Sequence, residues 1–250
     1  MALGWLFVGL DNQLKPMFIS NTKIAWRNLN KNKVYSFINI VGLATGMAVA
    51  MIISLWIYDE LSANRHFTNY HSVYQVMMHQ TFDGRRGSQQ SLPYPMGEEL
   101  KAKFPDLQAV VMSDYGGKHS LLVGDKKVSK NGHFIGSEAV DMFSLQVVQG
   151  ARDPLQDPYS IVLTEETADA LFGKENPIGQ LIKFDNKTSL KVTAVVKQQP
   201  KNSWLSFDFL VPFSLEEKLN TYIEKYHKNN WGNNSWQVFV QLKPGISEKS

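Results

Sequence analysis

Residues 34–58 read VYSFINIVGLATGMAVAMIISLWIY, 25 consecutive positions without a charged side chain, bounded by Lys33 and Asp59. As a helix rising ~1.5 Å per residue the run spans ~37 Å, against a bilayer hydrocarbon core of ~30 Å. That length predicts a transmembrane helix over 34–58. It exceeds the roughly 7–15 apolar residues of a cleaved secretory signal, and its one A-x-A triplet, Ala48-Val49-Ala50, lies inside the apolar run. The segment therefore reads as a retained anchor, with Trp56 and Tyr58 placed where amphipathic rings favour the interface. Gly42 and Gly46 form a GxxxG within a region of small residues. That spacing suits close helix packing, although small residues are also simply common in membrane helices.

The flanking charge orients the anchor. Lys23, Arg27, Lys31 and Lys33 precede it and Asp59-Glu60 follow, so the positive-inside rule puts the N-terminus in the cytoplasm and residues 59–250 outside. Upstream, Phe18, Ile19, Thr22, Ala25, Trp26 and Leu29 recur at three- and four-residue spacing among those basic residues. This predicts an amphipathic basic helix over 17–33, suited to lying on the lipids of the inner membrane surface. Residues 1–16 do not join the pattern and are set apart by Pro16. They are expected to be a spurious or disordered extension, with Met17 as an alternative start.

Composition bounds the remainder. The 250 residues are 43% hydrophobic and 20% charged, which excludes a disordered, collagenous or multi-span chain as a whole. Without cysteine there is no disulfide framework, thiolate metal site or cysteine nucleophile. Residues 1–58 carry five basic side chains against Asp11, whereas 59–250 carry 21 basic and 22 acidic ones. A nearly neutral body argues against nucleic acid as a partner.

Along that body, alternation over Val73–Met78 predicts a strand, and Asp83–Ser88 a polar loop. A helix is expected over Tyr94–Phe104 with Pro95 in its first turn, then a strand over Leu107–Met112 and a hairpin over Ser120–Val128 turning at Gly124-Asp125. Asp141–Val148 is ambiguous. Tyr159–Leu163 reads as a strand leading to a helix capped by Thr164 and ended by Gly173. Leu181–Phe184 and Leu190–Lys197 read as strands around Asp185-Asn186-Lys187, Leu215–Tyr226 as a helix and Gln237–Leu242 as a strand. Irregular interspersion of strands and helices predicts an α+β extracytoplasmic domain over 59–250.

No catalytic, cofactor-binding or metal-binding residue is assigned. The sequence has no P-loop, G-x-S-x-G, H-E-x-x-H or EF-hand pattern. The six histidines (66, 71, 79, 119, 133 and 227) lack compact ligand spacing, and Ser203 and Ser206 have no His/Asp set. Glu165-Glu166 would make an acid/base pair only if adjacent helical side chains shared a direction, which they do not. A solvated first helical turn accounts for them. Trp231-Gly232-Asn233-Asn234-Ser235-Trp236 offers a recognition patch for an apolar or glycan ligand, or simply core-edge tryptophans.

Several segments together resemble one family. KIAWRNLNKNKVYSFINIVGLATGMAVAMII with LWIYDELSANRHF and HSVYQV is similar to the N-terminal end of MacB/FtsX-type ABC transporter permeases of the Bacteroidetes type. FSLQVVQGARDPLQDPYSIVLTEETADALFGKENPIGQLIKF and VTAVVKQQPKNSWLSFDFLVP resemble that family's MacB-like periplasmic core domain. The matches run in family order from about Met17 to Gly245. The resemblance implies a permease subunit of four or more membrane helices that works, as a dimer, with an ATP-binding subunit carrying the ATP. ATP-driven closure would drive export or periplasmic mechanotransmission, with a periplasmic or outer-membrane partner. It also implies that this chain, which shows no second span before Ser250, is an N-terminal part whose domain is incomplete at its C-terminus. The competing expectations are a single-pass anchored ligand-binding or sensor protein and a tethered envelope enzyme, the last lacking any catalytic set.

Overall fold

The computed structural model describes residues 23–24 and 26–246. The expected extension over 1–16, and the expected amphipathic helix as far as residue 22, lie outside these. The chain separates into two units, Met1–Leu61 and Ser62–Ser250.

In the first unit residues 26–31 are helical, Asn32 makes a turn, and helix α1 runs over Lys33–Ser62. The helix continues past the apolar run because Asp59-Glu60-Leu61-Ser62 contains no helix breaker. None of its side chains is buried, and nothing lies within 4 Å of a Cβ built on Gly42 or Gly46. Its apolar residues are spread around the helix with no strongly polar face, and it is long and apolar enough to cross a membrane.

The second unit is α+β and strand-rich. Strands β1 (Val73–Gln75), β2 (Met78–Phe82), β3 (Arg85–Gln89) and β4 (Leu92–Pro93) precede helix α2 (Met96–Lys103). Strands β5 (Leu107–Ser113), β6 (Gly117–Val123) and β7 (Lys126–Ile135) lead to α3 (Ala139–Met142) and β8 (Val147–Gly150). Next come β9 (Ser160–Thr164), α4 (Glu165–Phe172), β10 (Leu181–Phe184), β11 (Thr188–Val196), β12 (Phe209–Pro212), α5 (Phe213–Leu219), a π-helical turn (Ile223–His227) and β13 (Asn234–Leu242).

Six strands close on themselves in the order β7-β12-β9-β11-β10-β6, with β6 pairing back to β7. Two of these pairings, β7–β12 and β9–β11, are parallel. The second is bridged by α4, since parallel neighbours need a crossover. From β7 the sheet branches through β5 to β13, which carries β1 and β4 at its margins.

The two faces of the ring hold different cores. Leu121, Phe134, Ile161, Leu163, Ile182, Phe184, Leu190, Val192 and Phe209 fill one cluster. Ile135, Val162, Ala194, Val196 and Leu210 face a second, with Phe67, Phe143, Leu205, Phe207 and Phe239. Val192 and Ala194, two residues apart, fall in different clusters because a bulge between them shifts register by one and flips the faces. Gly132 makes room for the Phe209 ring, since a Cβ there would come within 2.2 Å of Cε2.

Local chemistry explains most boundaries. Thr164 accepts a hydrogen bond from the Thr167 N–H and caps α4, and Gly173 ends it at φ 62°. Gln180 N–H bonds the Pro177 carbonyl with Gly179 at φ 84°, making the turn that leads from α4 toward β10. Asp185 and Asn186, at φ 48° and 57°, join β10 to β11 in a hairpin turn of matching twist.

Three expectations need correction. Val73–Met78 is not one strand: β1 stops at Gln75 to pair with β13, and β2 starts at Met78. Asp83–Ser88 is not a loop but the tip and returning strand of the β2–β3 hairpin. Asp83 and Gly84 both take positive φ there, so the Asp-Gly pair is the turn and Arg85–Gln89 pairs regardless of its polarity. The helix over Leu215–Tyr226 breaks at Asn220, whose φ of −113° and ψ of 81° leave the helical region while its side chain takes the Tyr222 N–H. Of the two readings of the aromatic stretch Trp231–Trp236, the core-edge one fits Trp236, which is buried in β13, while Trp231 is exposed.

Candidate functional site

In a domain that follows a long apolar helix, the fastening of the first residues decides how far the two can move independently. Residues 62–75 form a strap of turns leading into β1. Asn64 takes φ 60°, a left-handed conformation that Asn tolerates better than most residues. Its Oδ1 accepts the Trp204 backbone N–H at 2.7 Å, and Asn202 Nδ2 donates to Ser62 Oγ at 3.0 Å. Asn69 Nδ2 donates to the Asp141 and Met142 carbonyls of α3 at 3.0 and 3.3 Å, and Leu242 N–H of β13 donates to the Ser72 carbonyl at 2.9 Å. Between these ties Phe67 is buried, 5.5 Å from the Phe143 ring centroid. The strap is thus fixed to the 197–207 loop, to α3 and to β13.

Beside the strap lies an aromatic cavity of about 170 Å³, lined by Phe67, Tyr70, Val73, Phe143, Trp204 and Phe239 together with the polar Asn64 and Gln75. Trp204 and Phe239 lie 4.2 Å apart between centroids, so the wall is packed rather than splayed. Burial pulls the neighbouring His66 below its ordinary pKa, against a hydrogen bond with Gln199 that acts the other way.

A second polar cluster surrounds the first turn of α5. Burial, then the charge of Asp114, push the Glu216 carboxyl up to about 7, against a hydrogen bond from the Trp236 side chain. Its Oε2 is buried without a hydrogen-bond partner. Next to it the Tyr94 hydroxyl donates to Glu217 Oε1, and burial and that carboxylate raise the Tyr94 pKa. Asp114 Oδ1 accepts the Phe134 N–H and lies 3.2 Å from His133 Nδ1.

The residues weighed in the sequence are dispersed. His79 meets Ser88, His119 meets Asp185 at 2.7 Å, His133 meets Asp114 and His227 packs edge-on against Trp236. Glu165 and Glu166 are exposed, and Glu166 lies 3.5 Å from Lys130. Ser203 Oγ donates to the Leu205 carbonyl, and Ser206 is exposed. No three His, Asp or Glu side chains converge to hold a metal ion among the described residues. Sequence reading missed the strap and the Glu216 cluster. The only signal for either was an Asn two residues past the helix and a Glu pair on an amphipathic segment.

The family model for MacB-like periplasmic core domains matches residues 36–250. Among solved structures, a domain of a putative permease protein from Porphyromonas gingivalis is 20% identical with a TM-score of 0.62, over 74% of this chain and 78% of that one. The periplasmic region of MacB from Actinobacillus actinomycetemcomitans is 23% identical with a TM-score of 0.51, over 72% and 78%. At such identities the likeness is one of fold. No curated protein matches the chain.

Proposed function

The chain belongs to the MacB-like periplasmic core domain family of ABC-type permeases, and on that premise we propose that it couples ATP hydrolysis by a partner subunit to movement outside the membrane. The observation that carries the reading is the strap: the residues that follow α1 are tied to three separate parts of the domain. Side-chain hydrogen bonds worth about 0.5–1.5 kcal/mol each and a buried Phe worth about 1.5–3 kcal/mol make that fastening stiff on the scale of thermal energy. Displacement of Ser62 would then reach the 197–207 loop and α3 instead of being lost in a flexible linker. Mechanotransmission or export uses such a fastening in the same way, and neither requires a catalytic group in this chain.

In this reading the N-terminus is cytoplasmic, residues 59–250 face the periplasm, and the chain sits in the inner membrane. ATP belongs to the partner ATP-binding subunit. A second permease copy completes the membrane assembly, and a periplasmic or outer-membrane protein receives the motion. The absence of native cysteine makes the orientation directly testable. In intact cells an impermeant maleimide should label a Lys187→Cys variant, whereas Asn30→Cys should label only after lysis; the reverse pattern refutes the orientation. Isolation from native membranes should bring down a P-loop ATPase whose turnover changes when Asn64→Ala loosens the strap. Recovery of the chain with no P-loop protein would overturn the coupling.

A single-pass ligand-binding role draws on the aromatic cavity at Trp204. It predicts saturable binding of a small apolar ligand that a Trp204→Ala variant loses.

A further inference from the structure

We propose that Glu216 is a proton-operated latch: protonated, it holds the segment Phe213–His227 on the barrel; ionised, it lets that segment open. The geometry is specific. Phe213, Leu215 and Ile223 pack onto the same core as the barrel residues Leu163 and Phe209, so the segment forms part of the barrel's cover. Its backbone is weakly self-supporting, with seven residues of helix, a break at Asn220 and one π-helical turn. Besides apolar contact, a pair of adjacent carboxyls attaches it, Glu216 to the Trp236 side chain of β13 and Glu217 to the Tyr94 hydroxyl, and Lys218 Nζ sits over the Tyr159 ring, 5.0 Å from its centroid.

The surroundings of Glu216 favour its neutral form. Asp114, from the β5–β6 connection, and Glu217, from α5 itself, are the charges that act on it, and both are negative. From β7, His133 reaches Asp114 at 3.2 Å. From the β4–α2 connection comes Tyr94, with Glu98 of α2 close to its hydroxyl. From the π-helical turn comes His227, buried against the Trp236 ring with its Nδ1 unpartnered. Glu216 Oε2 is itself buried without a partner. A carboxylic acid carries no charge to desolvate there, whereas a carboxylate places an uncompensated charge beside two others. The raised pKa of about 7 accords with this geometry.

The sign follows from linkage. A carboxyl whose folded pKa is raised from 4.5 to about 7 binds its proton more tightly closed than open. The closed form is therefore most favoured at acid pH and loses ground as pH rises through 4.5 toward 7. Between pH 5 and 8 the opening equilibrium of the segment should rise about 70-fold. Above pH 8 the curve flattens, because both forms are then ionised.

Hydrogen exchange of the full chain in detergent micelles, resolved to peptides covering 213–227 and corrected for intrinsic rate, measures that equilibrium. The expected result is the rise in wild type and a nearly flat profile in Glu216→Gln, whose amide oxygen still accepts from Trp236. In parallel, ¹³C NMR of carboxyl-labelled wild type should show Glu216 titrating near pH 7, a readout that needs no variant to fold. A carboxyl titrating near 4.5, or a segment whose opening does not change between pH 5 and 8, overturns the latch. So does pH dependence that survives Glu216→Gln and disappears in His133→Asn or His227→Asn. These outcomes concern the domain alone and leave the permease reading to its own tests.

Discussion

Asn64 does two things at once, and three substitutions separate them. Its φ of 60° places the backbone in the left-handed region, and its Oδ1 accepts the Trp204 N–H at 2.7 Å. Asn64→Ala loses both: a left-handed Ala costs about 1–2 kcal/mol, and a partly buried N–H left unpaired costs about 1–3 kcal/mol. The total is on the order of 2–5 kcal/mol. Asn64→Gly removes only the acceptor, because glycine takes positive φ freely, and should cost about 1–3 kcal/mol. Asn64→Asp keeps an acceptor of the same length and should cost less than about 1 kcal/mol. Urea unfolding of the full chain in micelles, followed by tryptophan fluorescence, gives the three values against wild type. The predicted order of loss is Ala, then Gly, then Asp. If Gly proves worse than Ala, backbone strain at position 64 plays no part; if all three match wild type, the strap is not held by this residue and the mechanical reading loses its main support.

Further perturbations address the rest of the domain. Phe67→Ala removes a buried ring packed on Phe143 and should cost about 3–5 kcal/mol, with trypsin cutting first at the exposed Arg65. Gly132→Ala drives a methyl into the Phe209 ring and should cost about 1–3 kcal/mol; Phe209→Leu in the same chain should recover part of that loss, and additive costs would refute the contact. Burial alone would raise the Asp185 pKa, but its His119 and Ser120 hydrogen bonds and the charges of His119 and Lys187 bring it below the ordinary value. The stability it contributes is therefore present above the unfolded pKa and lost as pH falls through the folded one. Asp185→Asn should flatten that acid limb in a melting-temperature series.

Legibility followed the range of the interactions. The apolar run 34–58, the Thr164 cap, the Gly124-Asp125 and Asp185-Asn186 turns and the strands beside them are local, and each was readable from a few neighbouring residues. The hairpin at Asp83-Gly84 was equally local, but the polarity of Arg85–Gln89 outweighed a turn pair of the same kind. Closure of the ring was not readable. It depends on β6 pairing with both β7 and β10, and Leu121 opposite Phe184 looks in sequence like any alternating strand residue. The break at Asn220 was hidden because Leu215 and Ile223 have helical spacing while both pack on a core the sequence does not show. The candidate site was least legible of all. Asn64 and Trp204 are 140 residues apart, and neither residue type announces a partner.

Those long-range ties bear on what kind of body the strap grips. A sheet with free edges can slide or peel strand by strand, whereas a ring in which β6 bonds both β7 and β10 has no edge within it from which to start. Deforming the ring means shearing several ladders together, each backed by a core on both faces. The strap does not attach to the interior of that ring. Phe67, Phe143 and Phe239 belong to the outer cluster, and the ties from Asn64 and Asn69 end on a loop and on α3. On the proposed coupling, load entering at Ser62 would be spread over the outer layer before it reaches the ring, which should move as a whole instead of distorting. If the strap worked by deforming the ring, Gly132→Ala, which strains the interior, would alter coupling to the ATPase as much as Asn64→Ala. The arrangement of the two cores predicts instead that at equal loss of stability Asn64→Ala uncouples and Gly132→Ala does not.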